Sequence, residues 1–106
     1  MSNMINTYSV PDTRKDWLFM VEVENPTYIS VTLIPDKLTA DHGTMRDYLK
    51  HKAGQLWQTP DDMILAIIED INNALVPKWL EVIYENEGVT LKVEDKQPGL
   101  DNLKLP

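Results

Sequence analysis

The chain has 106 residues, 10 Lys plus Arg against 17 Asp plus Glu for a formal net charge of −7, and no cysteine. The missing sulfur excludes disulfides, Cys-ligated zinc, iron–sulfur clusters and thiolate nucleophiles. The acidic balance speaks against a nucleic-acid partner, because Lys and Arg bind that backbone by displacing counterions.

With 42% hydrophobic and 25% charged residues, the composition fits one globular domain. No apolar run approaches the roughly 20 residues that cross a bilayer. The first seven residues, Met-Ser-Asn-Met-Ile-Asn-Thr, carry neither a basic nor an apolar stretch. The expectation is a cytoplasmic protein with no membrane partner.

In chain order, Trp17, Phe19, Val21 and Val23 alternate with Leu18, Met20, Glu22 and Glu24, which is the two-residue period of a strand. Asn25-Pro26 interrupts, and a second alternation follows. It puts Ile29, Val31 and Leu33 on one face, with Tyr28, Ser30 and Thr32 on the other, and stops at Pro35-Asp36. This reads as a β-hairpin.

The period then lengthens. Over 44–52, Met45, Tyr48 and Leu49 recur at helical spacing, and Gly54 is placed to close the helix. A second helix is better specified. Thr59 can cap it, Pro60 suits its first position, and Asp61 and Asp62 put negative charge at its positive end. Its apolar face is Met63, Ile64, Ile67, Ile68, Ile71 and Leu75; Asn72 and Asn73 weaken the last turns and Pro77 ends it.

Period two returns with Leu80, Val82 and Tyr84 against Trp79, Glu81, Ile83 and Glu85. The turn residues Asn86-Glu87-Gly88 follow, then Val89, Leu91 and Val93 against Thr90, Lys92 and Glu94. The remainder to Pro106 shows no pattern and is expected to be irregular.

The expected fold is therefore α+β. A two-layer β-β-α-α-β-β domain spans 17–94, with an antiparallel four-stranded sheet and two helices on one face. An N-terminal extension occupies 1–16 and a tail occupies 95–106. Trp79, Ile83, Leu18 and Met20 fall on the face away from the helices, where such side chains want a partner. The outer strands leave open edges, through which a homo-oligomer can form.

Two segments carry a family resemblance. Ile34-Pro35-Asp36-Lys37 through Asp41-His42-Gly43-Thr44-Met45-Arg46-Asp47-Tyr48-Leu49 is similar to a segment reading Ile-Pro-Asp, then Glu-Ser-Lys-Ser, then Leu-Lys-Leu-Tyr-Leu. Asp70 and Val76-Pro77-Lys78-Trp79-Leu80-Glu81-Val82 resemble an Asp followed by Asp-Pro-Arg-Tyr-Ile-Glu-Val. Both patterns belong to the 7-cyano-7-deazaguanine reductases of queuosine biosynthesis, QueF. These are members of the tunnelling fold, whose subunits join sheets edge to edge, and the likeness runs from about 17 to 94.

The resemblance implies a purine-like ligand, but the reaction residues are missing. The family's cysteine and proton-transferring aspartate lie on a long loop between the first two strands, where this chain has only Glu24-Asn25-Pro26-Thr27. A second echo, Val10-Pro11-Asp12-Thr13-Arg14-Lys15-Asp16-Trp17 for Cys-Pro-x-Thr-Gly-x-Pro-Asp-Trp, puts Val10 at the cysteine. Neither alignment supplies a thiol. Gly43 replaces the signature lysine and Asn86-Glu87-Gly88 shortens an Arg-Gly-Gly segment. An NADPH site needs cations or helix N-termini facing its phosphates, so no cofactor is expected.

An ungapped match back from Pro77 puts Asp61 where the family has the Glu that anchors the substrate base. The commoner role of a carboxylate such as Asp61 or Asp62 in a first turn is only to serve the helix terminus. Asp41, His42 and Trp79 complete the candidate ligand-binding set. His42 and His51 are nine residues apart, whereas helical metal ligands usually sit three or four apart, so no metal is expected. Three functions stay open: a catalytically silent binder of a purine-like ligand, an enzyme using carboxylate acid–base chemistry through Asp61 and His42, or a structural oligomer.

Overall fold

The computed structural model describes residues 5–15, 17–24 and 27–98. The Asn25-Pro26 interruption and most of the expected tail, 99–106, lie outside the described residues. The element order is β1 (Thr7–Ser9), β2 (Phe19–Val23), β3 (Tyr28–Ile34), β4 (Leu38–Ala40), α1 (His42–Ala53), α2 (Pro60–Leu75), β5 (Trp79–Asn86) and β6 (Val89–Lys96).

Strands β2, β3, β5 and β6 form an antiparallel sheet in that spatial order, so the α+β arrangement of two hairpins flanking two helices is present. Pairings Phe19↔Leu33, Val21↔Val31 and Val23↔Ile29 continue as Leu33↔Leu80, Val31↔Val82 and Ile29↔Tyr84. Because side chains alternate across a pleated sheet, these residues share one face. Against it pack Met45, Tyr48 and Leu49 of α1 and Met63, Ile64, Ile67, Ile68, Ile71 and Leu75 of α2, all buried. The second hairpin closes through Glu87 (φ 50°) and Gly88 (φ 83°). Two consecutive left-handed residues give the turn whose twist matches a two-residue β-hairpin.

Thr59 caps α2, its Oγ1 accepting from the Asp62 N–H at 3.2 Å, and Pro60 is the first helical residue. The helix runs on to Leu75 and stops at Val76, which takes a left-handed conformation (φ 47°) just before Pro77. Helix α1 begins two residues earlier than the apolar period indicates, because Asp41 caps it. The Asp41 Oδ2 accepts from the Thr44 N–H at 2.9 Å.

Three features differ from the sequence reading. Strands β1 and β4 pair as a separate two-stranded ribbon, Thr7↔Ala40, Tyr8↔Thr39 and Ser9↔Leu38; three-residue strands are too short to show a period. Part of the segment expected to be an extension thus joins the fold, with Ile5 and Val10 buried. Strand β6 also runs to Lys96, beyond the expected boundary at 94. Finally, Trp79 is on the face away from the helices, opposite Ile34 and Lys96, yet it is only 3% exposed.

Candidate functional site

The β1–β4 ribbon is tied to the head of α1. The Asp41 N–H donates to the Asn6 carbonyl at 3.0 Å, and the Asn6 N–H donates to Thr44 Oγ1 at 3.1 Å. The Val10 N–H reaches the Lys37 carbonyl at 2.9 Å. These bonds hold the ribbon beside the start of β2, where His42 stacks on Phe19 with ring centroids 4.2 Å apart and planes 25° apart.

The loop leading to β2 has its own frame. Asp12 Oδ1 accepts from the Arg14 Nε at 3.1 Å and from the Arg14 N–H at 3.0 Å. The Arg14 side chain, and second its backbone N–H, hold the Asp12 carboxyl below the usual carboxylate range. The Asp12 carbonyl in turn accepts the Trp17 indole N–H at 2.9 Å. With its polar atom engaged at the back, the indole presents apolar surface and stays 42% exposed.

Ribbon, loop and helix head together enclose a cleft of about 210 Å³ lined by Tyr8, Val10, Trp17, Phe19, Thr39 and His42 among others. Pockets for drug-sized ligands start near 300 Å³, so this one suits a single small ring system. Tyr8 and Trp17, 50% and 42% exposed, offer stacking surface, while the buried Phe19 ring backs His42. Thr39 Oγ1 and the His42 imidazole are side-chain groups on its wall able to exchange hydrogen bonds with a ring edge.

The predicted candidates are divided by this geometry. Asp41 and His42 come together at the head of α1, but the Asp41 carboxylate is engaged in capping, and only His42 lines the cleft. Asp61 is exposed in the first turn of α2, nine residues or about 13.5 Å of helix from Asp70, where α2 meets Tyr48 of α1. Trp79 lines a different cleft with Glu94, Asp95 and Lys96, and its buried indole N–H has no hydrogen-bond partner among the described residues.

Tyr8, Trp17, Phe19 and Thr39 lie outside the candidate set read from the sequence, because only the ribbon brings Tyr8 and Thr39 beside Trp17 and Phe19. The readable signal was the run of aromatic residues at 8, 17 and 19.

A second polar cluster joins the helices. The Tyr48 hydroxyl donates to Asp70 Oδ2 at 2.6 Å, and Lys52 Nζ lies 3.4 Å from the same oxygen. Burial first, and the bond to Asp70 second, push the Tyr48 phenol well above its ordinary range. Lys52 also lies 5.8 Å from the Trp57 ring centroid, and its carbonyl accepts the Trp57 indole N–H at 2.8 Å. This cluster locks α1 to α2.

Among the described residues no three His, Asp or Glu side chains stand close enough to hold a metal ion, and His42 makes no hydrogen bond to a carboxylate. No helix in the described residues is long and apolar enough to cross a membrane. The chain matches no protein-family model, and a search of curated proteins finds no match either.

Proposed function

We propose that this is a QueF-like, tunnelling-fold protein without reductase chemistry, a homo-oligomeric subunit that binds a flat, purine-like heterocycle. The observation that carries the reading is the cleft, in which Tyr8, Trp17, Phe19 and His42 surround a space of one small ring system. Aromatic faces favour stacked planar partners. Among the described residues neither Lys nor Arg lines the space, which favours a neutral base over a phosphorylated nucleotide. The order of two hairpins around two helices and the segment around Pro77 support the family likeness. The absence of cysteine removes the thiol on which a nitrile-reducing enzyme of that family depends.

Calorimetry and Trp17 fluorescence quenching with guanine, 7-cyano-7-deazaguanine and pterin test the reading. At least one of these binds, and Trp17→Ala weakens it about 10- to 100-fold, the range for loss of one aromatic stacking platform. No binding across the set refutes the function. Binding that ignores Trp17→Ala but fails in Asp61→Ala moves the site to α2 and refutes the cleft. Turnover of 7-cyano-7-deazaguanine with NADPH refutes the non-catalytic part.

A further inference from the structure

The wall of the aromatic cleft holds a buried polar side chain that the fold itself does not use. Tyr8 and Thr39 face each other across the ribbon. The Val10 N–H donates to the Lys37 carbonyl and the Asp41 N–H to the Asn6 carbonyl. Residues 10 and 37, like 6 and 41, are therefore hydrogen-bonded pairs, and 8 with 39, midway between them, is another. The backbone groups of Thr39 are engaged with Tyr8, and the two side chains stand on one face of the ribbon, over the cleft. Ala40, one residue on, turns the other way into the core.

Thr39 is only 8% exposed, and its hydroxyl has no hydrogen-bond partner among the described residues. It is not sealed, because the indole N–H of Trp79 is the one buried side-chain polar atom left both unpartnered and closed off among them. The Thr39 hydroxyl thus keeps an opening to the cleft that it lines. A valine there has nearly the same shape and avoids the cost of a buried hydroxyl without a partner. A flat ring seated in the cleft displaces water from this hydroxyl, so the ring itself must supply the partner or leave it unpaired.

The other walls narrow what that partner is. Pro11 and Pro35 have no N–H to offer, and the Trp17 indole N–H is committed to the Asp12 carbonyl. Among the described residues no Asp or Glu lines the cleft, so no carboxylate is present to accept from a ring edge rich in amino donors. A ring carbonyl asks for one donor, which a hydroxyl supplies.

We infer that the Thr39 hydroxyl donates to a ring carbonyl of the bound heterocycle, so that the cleft selects oxo-heterocycles over rings of the same size without that oxygen. The ring lies against Tyr8 and Trp17 with its carbonyl inward and any amino group toward solvent. This inference rests on the cleft named in the proposed function and assigns Thr39 as the residue that determines its specificity.

Hypoxanthine and purine share one bicyclic skeleton, and only hypoxanthine carries the ring carbonyl, so calorimetry with this pair tests the assignment. The wild-type protein binds hypoxanthine about 3- to 10-fold more tightly than purine, the range for one net hydrogen bond. Thr39→Val weakens hypoxanthine by about the same factor and leaves purine within about twofold, while Thr39→Ser, which keeps the hydroxyl, keeps the preference. Without ligand, Thr39→Val melts no lower than wild type, because the replaced hydroxyl had no partner to lose. Thr32→Val is the control: Thr32 is also 8% exposed but lines a groove on the far face of the sheet, and its loss leaves the preference unchanged. A lower melting temperature for ligand-free Thr39→Val overturns the inference by showing that the hydroxyl serves the fold. Trp17-dependent binding with hypoxanthine no tighter than purine, or with hypoxanthine bound equally by Thr39→Val, overturns it and leaves the cleft reading intact. Absence of binding by these rings and by guanine, 7-cyano-7-deazaguanine and pterin overturns both.

Discussion

Removing one hydroxyl, in Tyr48→Phe, tests how α1 is fastened to α2. The Tyr48 ring is 3% exposed and its hydroxyl lies 2.6 Å from Asp70 Oδ2. A hydrogen bond to a charged acceptor contributes about 1.5–3 kcal/mol. The Asp70 side chain is 42% exposed and keeps Lys52 at 3.4 Å, so water replaces the lost donor and the cost falls at the low end, about 1.5 kcal/mol. Urea denaturation at pH 8, followed by circular dichroism, should show a midpoint about 1 M lower for an m-value of roughly 1.5 kcal/mol per M. The pH dependence fixes the cause. The unfolded chain releases the Tyr48 proton near pH 10, whereas the folded chain holds it to higher pH because the phenol is buried and bonded to Asp70. The stabilisation is therefore fully present below about pH 10 and is lost above it, with a slope approaching ~1.4 kcal/mol per pH unit. Phenylalanine has no such proton, so the gap between the two proteins closes by about pH 11. Tyr28, raised by its bond to Glu22, titrates in both and cancels from the difference. Equal midpoints at pH 8, or a gap that stays constant to pH 11, would refute the reasoning.

Asp41→Ala should lower stability by about 1 kcal/mol, and Asp41→Asn by only a few tenths, because the shorter loss keeps a capping oxygen; urea melts of both variants check this, and heterocycle affinity should be unchanged in either. Val76→Gly should raise stability by about 0.5–1 kcal/mol, since an exposed β-branched residue at φ 47° gives way to one that adopts that conformation freely; a thermal melt no higher than wild type counts against strain at the α2 end. Ile67→Ala should cost about 2–5 kcal/mol, because the side chain is fully buried between helix and sheet. Leu65→Ala, two residues away but 59% exposed, should change stability by less than about 0.5 kcal/mol.

How far the fold was legible depended on element length. The strands of both hairpins and the six apolar positions of α2 repeat often enough for the period to identify them, and Thr59-Pro60 marks a helix start by a local hydrogen bond and a fixed φ. The Asp41 cap carried the same kind of signal, an Asp three residues before Thr44, but apolar spacing begins only at Met45 and drew the boundary inward. Nothing local marks the ribbon. Thr7 pairs with Ala40 across 33 positions, and a three-residue strand has neither a period nor a turn of its own to fix its partner. The site was hidden for the same reason. Phe19 and Trp17 were visible as strand alternation, yet they become walls of a cleft only when the ribbon brings Tyr8 and Thr39 across and the Asn6–Asp41 bond sets His42 beside Phe19. Asp61 shows the opposite case, in which a carboxylate that stands out in a local pattern sits in the first turn of α2 and does not line the aromatic cleft. Local pattern locates elements because their bonds are local. The candidate site depends on a pairing between distant segments, and the residues most exposed to that pairing are the ones whose role the linear sequence leaves undetermined.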